Sequence, residues 1–173
     1  MRTIFIGTLR AFLFVLFLVS TMANNIASAP NAASKNCIRL GGTHTIVRLY
    51  GENEGMGTGE IGICSFDRGM IEEWTLLRHM NNSEVQKAII IYFNPIDINN
   101  NFNNFMDLPT PAIRYCYKRG GKIITTTTVD QPGALTSYCK FDDNSIIGAW
   151  TVYRGFADPP NNKLTRVLKS RPH

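Results

Sequence analysis

The chain has little charge and few histidines. Of its 173 residues, 18% are charged and 44% are hydrophobic, with three histidines and two tryptophans. A disordered protein needs more charge and fewer apolar residues, so the composition excludes that class. Only one stretch is apolar enough to meet a bilayer, which excludes a polytopic membrane protein. The sequence contains no phosphate-binding loop, dinucleotide fingerprint or metal motif.

The first 23 residues have the pattern of a cleavable export signal. Arg2 and Arg10 precede a nine-residue apolar run, residues 11–19, which is typical of a signal core and short for a membrane span. Small residues follow, and we expect cleavage after Ala23, with Ala29 as the alternative site. The competing interpretation is an uncleaved membrane anchor. The pattern favours a secreted or periplasmic protein.

The net charge is modest. The full chain carries +5, and loss of Arg2 and Arg10 leaves 16 basic against 13 acidic side chains. This surplus is too small to indicate nucleic-acid binding. We therefore expect no nucleic-acid partner.

The chain after residue 30 contains one pattern twice. Both copies have C-x3-G-G, then C-x-F-D, then W-T-x-x-R, and the copies lie 79, 75 and 76 residues apart at these three elements. Three matches in one order are too specific for chance, so the pattern indicates an internal duplication. The matching residues are Cys37, Gly41, Gly42, Cys64, Phe66, Trp74 and Arg78 in unit 1, and Cys116, Gly120, Gly121, Cys139, Phe141, Trp150 and Arg154 in unit 2.

Each copy has the signals of a helix, two strands and a second helix. A glycine pair ends each predicted first helix, and Thr110 with Pro111 favours the start of the one in unit 2. The β-prone runs that follow, each with a Gly-containing turn, predict a hairpin. The sequence thus predicts an α+β fold of two tandem helix–strand–strand–helix units, residues 32–80 and 110–156. The first helices span 32–40 and 112–119, and the strands span 43–50, 60–66, 122–129 and 134–141.

The second helix of unit 1 carries charges that suit the helix dipole. Glu72 and Glu73 fall in its first turn, and Arg78 and His79 fall in its last. In unit 2, residues 142–145 provide N-cap candidates, while Gly148 weakens the helix by about 1 kcal/mol.

Two segments lie outside the units. In the linker, residues 81–109, the apolar run at 88–93 predicts a strand, alone or after a short helix. The linker also holds an Asn-rich loop with Phe102 and Phe105, which we interpret as solvated. Residues 157–173 form a basic tail, interpreted as a disordered end, with contact to a membrane surface as the alternative.

The four cysteines predict two disulfides. Small units bury little surface, and a disulfide is a natural staple in an oxidising compartment. Four cysteines allow three connectivities. The duplication selects Cys37–Cys64 and Cys116–Cys139, and each bridge is expected to contribute about 3 kcal/mol. The rival interpretation, a zinc site, lacks C-x2-C spacing.

The candidate catalytic residues do not form a convergent set. His44 alternates with threonines in a predicted strand, where a surface or satisfied imidazole is expected. Glu72 and Glu73 point about 100° apart on a helix and do not share a site. Trp74 and Trp150 are interpreted as core anchors. We therefore expect no enzymatic activity, metal or cofactor.

The combined motifs resemble a known family. C-x3-G-G, G-I-C-x-F-D and E-E-W-x-x-x-R are similar to the domain of unknown function 333 family of small exported bacterial proteins, which often carry a hemolysin label. In unit 1 the match includes Gly62, Glu72 and Glu73, whereas unit 2 has Gly148 and Ala149 in place of the paired glutamates. The resemblance implies an exported or envelope protein without an established activity.

Three functions remain open. The first, which we expect, is a binding or inhibitor-like module whose partner is an unknown protein or envelope component. The second is a membrane-active, hemolysin-like factor. The mature chain lacks a long apolar segment and a strongly amphipathic helix, which disfavours this function. The third is a structural envelope protein.

Overall fold

Over the residues that it describes, the computed structural model has six strands and six helices. It describes residues 31–50, 56–81, 85–96, 108–128, 135–155 and 161–170, so the predicted signal and the Asn-rich loop lie outside the described residues. The strands are β1 (Thr43–Tyr50), β2 (Met56–Phe66), β3 (Gly69–Glu72), β4 (Lys122–Thr128), β5 (Leu135–Lys140) and β6 (Ile146–Gly148). The helices are α1 (Ala32–Arg39), α2 (Glu73–Met80), α3 (Lys87–Phe93), α4 (Pro111–Lys118), α5 (Ala149–Arg154) and α6 (Lys163–Lys169).

The first helix of each unit is capped in the way that its sequence indicates. Asn31 Oδ1 accepts a hydrogen bond from Ser34 N (2.8 Å), and Thr110 Oγ1 accepts one from Ile113 N (3.2 Å). Gly41 and Gly120 end these helices with φ of +76°, a conformation that favours glycine.

The strands close into one antiparallel barrel in the order β1-β2-β3-β6-β5-β4. Mixed helix and strand, two units and both disulfides are as predicted, with Cys37–Cys64 and Cys116–Cys139 formed. Both predicted hairpins form, β1–β2 and β4–β5, but the sequence did not predict that they join in one barrel. Each unit contributes a third short strand, and the outer strands of one unit pair with those of the other. The edges that a lone hairpin would leave open are thereby satisfied.

The two units are related by a pseudo-twofold axis. At the β1–β4 seam, Arg48 lies opposite Thr127, which is its own counterpart at the 79-residue offset. At the β3–β6 seam, Ile71 lies opposite Ile147, its counterpart at the 76-residue offset. The axis therefore passes through both seams, as in the isologous interface of a homodimer.

A hydrogen bond across the β3–β6 seam occurs twice by this symmetry. Thr75 Oγ1 accepts from Ile146 N (3.0 Å), and Thr151 Oγ1 accepts from Met70 N (2.9 Å). Each threonine lies on the helix that follows its own short strand and reaches the short strand of the other unit. These bonds tie the start of each helix to the opposite unit.

The units also exchange helical arms. Helix α3 follows unit 1 but packs on α5 of unit 2, and α6 follows unit 2 but packs on α2 of unit 1. Lys87 N donates to Asp143 Oδ2 (2.6 Å) on one side, and Lys163 Nζ donates to the Gly41 carbonyl on the other. Lys87 and Lys163 are counterparts, so the repeat extends into segments that the sequence analysis assigned to linker and tail.

The buried apolar residues form two clusters. The first consists of strand residues and fills the interior of the barrel. Cys64 bonds to Cys37 of α1, which lies outside the barrel. Because side chains alternate along a strand, its neighbour Ile63 points inside. The interior cluster comprises Val47, Ile63, Tyr138 and Ile146, with Ile61, Met70 and Ile124 beside them. Burial raises the pKa of Tyr138 to about 12. The second cluster lies between the barrel and the helices and includes both disulfides.

Three expectations differ from the structure. Residues 88–93 lie in a helix, not a strand, because Ala88, Ile91 and Tyr92 are buried on one helical face. The basic tail was expected to be a disordered end, but its residues Lys163–Lys169 form helix α6, in which Leu164, Val167 and Leu168 are buried. The second helix of unit 2 has Gly148 at its N-cap position rather than one of residues 142–145, because β6 intervenes.

Candidate functional site

The second glycine of each pair and the phenylalanine of each repeat motif lie against the disulfides. A Cβ added at Gly42 would lie within 3 Å of both sulfurs of Cys37–Cys64 and 3.1 Å from Phe66 Cε1. Gly121 stands in the same relation to Cys116–Cys139 and Phe141. These motif residues therefore build the buried bridge of each unit.

Glu72 caps α2. Its carboxylate accepts from Trp74 N (2.9 Å) and from Thr75 N (2.7 Å), and it accepts a third bond from Thr75 Oγ1 (2.8 Å). A carboxylate at this position stabilises the N-terminus of the helix, which is the role that the sequence predicts for Glu72. Its counterpart Gly148 lacks a side chain and makes no such cap.

Glu73 belongs to a separate buried polar cluster of unit 1. Its side chain is only 2% exposed, and its Oε2 lies 2.8 Å from His44 Nε2, the distance of an ion pair. Asn31 Nδ2 donates to Glu73 Oε1 (2.8 Å), and the carboxylate lies directly over Gly62, where an added Cβ would collide with it. We name Asn31, His44, Gly62 and Glu73 the polar cluster. Its residues come from the N-cap of α1 and from β1, β2 and α2, and sequence reasoning did not group them.

Unit 2 lacks this cluster at the corresponding positions. Ala149 replaces the carboxylate, Ile123 replaces the imidazole, and Ser137 stands where unit 1 has Gly62. All three changes fit one another, because without the glutamate there is room for the serine Cβ and no charge for a histidine to meet. The two units therefore differ at this position, since unit 1 has a glutamate and a histidine where unit 2 has alanine and isoleucine.

A groove with a volume of about 460 Å³ lies at this position of unit 2. Its walls are Ile113 and Tyr117 of α4, and its floor includes Ile123, Thr125 and Ser137. Ligand sites of proteins have volumes of about 300–1,000 Å³ and apolar linings with a few polar groups. The groove of unit 2 falls within this range of volumes, and its lining mixes apolar side chains with hydroxyl groups.

Tyr50 carries the groove across the β1–β4 seam. It lies opposite Thr125 in the sheet and is 51% exposed, while Tyr117 on the other wall is 40% exposed. None of the described residues that line the groove carries a charge. Two accessible phenol rings over an uncharged floor of isoleucine and hydroxyl-bearing side chains suit a neutral ligand that has apolar and hydrogen-bonding parts.

The tryptophans are not the core anchors that the sequence analysis expected. Trp74 is 43% exposed and Trp150 is 44% exposed, at equivalent positions on α2 and α5. The difference arises because Ile71 of β3 and Ile147 of β6 point into the buried core. Each tryptophan is the second residue of the helix that follows, and that position lies at the surface. Trp150 packs edge-to-face on Tyr153, which packs in turn on Tyr115, with ring centroids 5.4 and 5.9 Å apart.

The motif arginines have different partners in the two units. Arg78 Nε donates to Gln86 Oε1 (3.0 Å), whereas Arg154 Nε donates to the carbonyl of Trp150 (3.1 Å). His79 Nε2 lies 2.9 Å from the Leu168 carbonyl and joins α2 to α6. Within the described ranges, no three His, Cys, Asp or Glu side chains are grouped as the ligands of a metal ion would be.

The repeat units match a family model over residues 28–80 and 107–156, which together make up more than half of the chain. The model is described as Domain of unknown function (DUF333). The chain belongs to this family. It contains two tandem copies of the family's domain, and the match agrees with the resemblance that the repeat motifs carry.

No curated protein and no solved structure matches the chain. The two buried disulfides indicate an oxidising environment, extracellular or periplasmic. Of the helices in the described parts of this family member, none has the length and apolarity needed to cross a membrane.

Proposed function

We propose that this family member is an exported, non-catalytic binding module that holds a small, neutral, partly apolar molecule in the groove of unit 2. The observation that carries the proposal is the uncharged groove of about 460 Å³ between α4 and the β1–β4 seam. Ile113 and Ile123 would contact the apolar part of the ligand. Thr125 and Ser137 would offer hydroxyl groups to its polar part.

The divergence of the two units supports this proposal. In unit 1 the glutamate of the polar cluster covers Gly62 and is held by His44 and Asn31. In unit 2 the corresponding changes to Ala149 and Ile123 remove charge beside the groove. A groove lined by uncharged side chains, in the unit that lacks the glutamate and histidine, is suited to a neutral ligand.

The roles of the paired glutamates favour binding over catalysis. Glu72 is engaged by the backbone of α2, and Glu73 by Asn31 and His44. A general acid or base must reach a substrate proton, and both carboxylates are buried in these structural contacts.

Export is proposed from the N-terminal pattern together with the disulfides. The mature protein is expected to begin near Asn24, after a signal formed by Arg2, Arg10 and the apolar run at 11–19. N-terminal sequencing of the protein recovered outside the cytoplasm checks this. Recovery of the full-length chain in the inner membrane would identify an anchor instead.

Binding of a neutral fluorophore tests the groove. N-phenyl-1-naphthylamine is neutral and has apolar rings and an N–H group, and its fluorescence rises when it leaves water. We expect saturable binding by the mature protein, and binding weakened about tenfold in Tyr117→Ala and in Tyr50→Ala, because each loses an aromatic contact worth roughly 1 kcal/mol or more. Both side chains are exposed, so the variants are expected to fold normally.

The twofold counterpart of Tyr117 supplies the matched control. Ile38 is 58% exposed at the equivalent position of α1, and Ile38→Ala should leave fluorophore binding unchanged. Equal losses in Ile38→Ala and Tyr117→Ala would contradict a site in unit 2. Stronger binding of the anionic relative 1-anilinonaphthalene-8-sulfonate would contradict a neutral ligand.

A further inference from the structure

The two exchanged arms differ on their outward faces. Helix α6 and the residues just before it present polar side chains to solvent, as a surface helix normally does. The counterparts on α3 and just before it are apolar. The pairs, at an offset of 76 residues, are Asn161 with Val85, Arg166 with Ile90, and Lys169 with Phe93.

Two apolar side chains of this arm, Val85 just before α3 and Ile90 within it, are accessible to solvent. Val85 is 68% exposed and Ile90 is 44% exposed. With Ile91 and Ile96 they line a wide, shallow depression with a volume of about 650 Å³. Exposed apolar side chains grouped beside polar ones mark interaction sites more often than isolated ones do. The arm of unit 1 therefore has the features of a docking surface, which its twin α6 does not share.

Cations border this depression. Lys87, Lys118 and Arg119 line it together with Asp143. Asp143 accepts from the Lys87 amide (2.6 Å) and from Ser145 Oγ (2.6 Å). Although burial favours its neutral form, these hydrogen bonds hold the pKa of Asp143 below its usual range. Its charge is thus already engaged within the protein.

Two more lysines lie at the adjoining ends of β4 and β5. Lys122 and Lys140 are directly opposite each other in the sheet, an arrangement in which like charges repel. Lys122 follows Arg119 after only the glycine pair. The carboxylate of Asp142 accepts from the ammonium group of Lys87 at 3.0 Å. Asp142 and Asp143 are thus two acids against five cations in this region, namely Lys87, Lys118, Arg119, Lys122 and Lys140. The local charge is therefore positive.

We propose that this surface, formed by Val85, Ile90, Ile96, Lys118, Arg119 and Lys122, binds the surface of an anionic lipid bilayer. The aliphatic side chains would enter the boundary between headgroups and acyl chains, while the cations meet lipid phosphates. A wide, shallow, apolar surface beside clustered cations fits a flat bilayer better than a single peptide chain. The proposal is independent of the groove of unit 2. It also differs from membrane contact through the basic tail, because the proposed surface lies on α3 and the end of α4, whereas the tail helix α6 packs on unit 1.

Sedimentation with vesicles tests the proposal. The mature protein is mixed with vesicles of phosphatidylcholine alone or of phosphatidylcholine with phosphatidylglycerol. We expect binding to the mixed vesicles only, weakening as salt is added because surface charges are screened. Equal binding to both vesicles, or none to either, would overturn the proposal.

Two double variants separate the apolar and charged contributions. Val85→Ser with Ile90→Ser should weaken partitioning about tenfold or more because the inserted apolar groups are lost. Lys118→Gln with Lys122→Gln should weaken it about fivefold for each removed cation. The matched control is Lys35→Gln with Ile38→Ser on α1, where both side chains are exposed, and it should partition like the unchanged protein.

Two further outcomes would contradict this assignment. If either test variant partitions like the unchanged protein while its thermal unfolding is also unchanged, the bilayer is not bound by this surface. A second outcome is that mixed vesicles do not bind but poly-glutamate does, and that both test variants lose this poly-glutamate binding. The surface then binds an acidic peptide and the proposal is wrong.

Discussion

Ile71 lies directly opposite Ile147 where β3 meets β6, and both side chains are fully buried. Each is the other's counterpart in the repeat, so the two units share one continuous sheet and one outer core at this seam. A unit that unfolded alone would expose this pair, the β1–β4 seam and the docked arm of its neighbour together.

We therefore expect both units to unfold in a single transition. Trp150→Phe leaves Trp74 as the reporter of unit 1, and Trp74→Phe leaves Trp150 as the reporter of unit 2. The two fluorescence curves in urea should have the same midpoint and slope, as two-state unfolding requires. Separate midpoints would mean that the seams do not couple the units.

Each disulfide should contribute about 3 kcal/mol to the free energy of unfolding, because the bridges close loops of 27 and 23 residues. Replacing Cys37 and Cys64 by serine should cost this amount while Cys116–Cys139 stays oxidised. The matched variant replaces Cys116 and Cys139 by serine and should cost a similar amount. Chemical denaturation measures both. Non-reducing peptide mapping checks the pairing, and a peptide joining Cys37 to Cys139 would contradict it.

Gly62 should tolerate a side chain only when Glu73 is shortened. Gly62→Ala places a Cβ against the buried carboxylate and should destabilise the protein by about 1–3 kcal/mol. Combined with Glu73→Ala, the loss should be smaller than the sum of the two single losses, with a coupling of roughly 0.5–3 kcal/mol. Ser137→Ala, at the counterpart position in unit 2, is the control and should be nearly neutral. Additive losses would show that the two residues are not in contact in solution.

Alkaline pH should weaken the barrel through Tyr138. The pKa of this phenol is raised to about 12 by burial, against 10.0 in an exposed tyrosine. The unfolded chain therefore loses the proton first, so this stability is fully present below pH 10 and is lost as the pH rises toward 12. The loss is on the order of 3 kcal/mol. In Tyr138→Phe this part of the pH dependence should be absent, and denaturation at several pH values compares the two. Identical pH profiles would place the phenol outside the interior.

Local signals predicted the repeated elements well. The capping residues Asn31 and Thr110 and the glycine pairs mark the ends of α1 and α4, and threonine-rich runs mark β1 and β4. The disulfide pairing followed from the duplication itself. These features depend on neighbouring residues or on comparison of the copies, so the sequence alone is sufficient for them.

Barrel closure depended on contacts that no local pattern records. Strands β3 and β6 have four and three residues, too few to display an alternating pattern. In α3 the three consecutive isoleucines favour a strand, but packing on α5 outweighs that propensity.

Sequence differences between the two copies point to the candidate groove, but interpreting them requires knowing which strand residues are paired in the sheet. Between the copies, His44 changes to Ile123, Gly62 to Ser137 and Glu73 to Ala149. These positions are distant along the chain, and only the pairing of strands and helices reveals that they meet. A comparison of the two copies position by position would have identified all three.

The exchange of α3 and α6 makes one chain equivalent to a fused homodimer. In two separate chains, such an assembly would dissociate on dilution, since its formation depends on protein concentration. Covalent connection replaces that dependence by a fixed effective concentration of one unit beside the other. An assembly joined in this way keeps its barrel closed at any dilution.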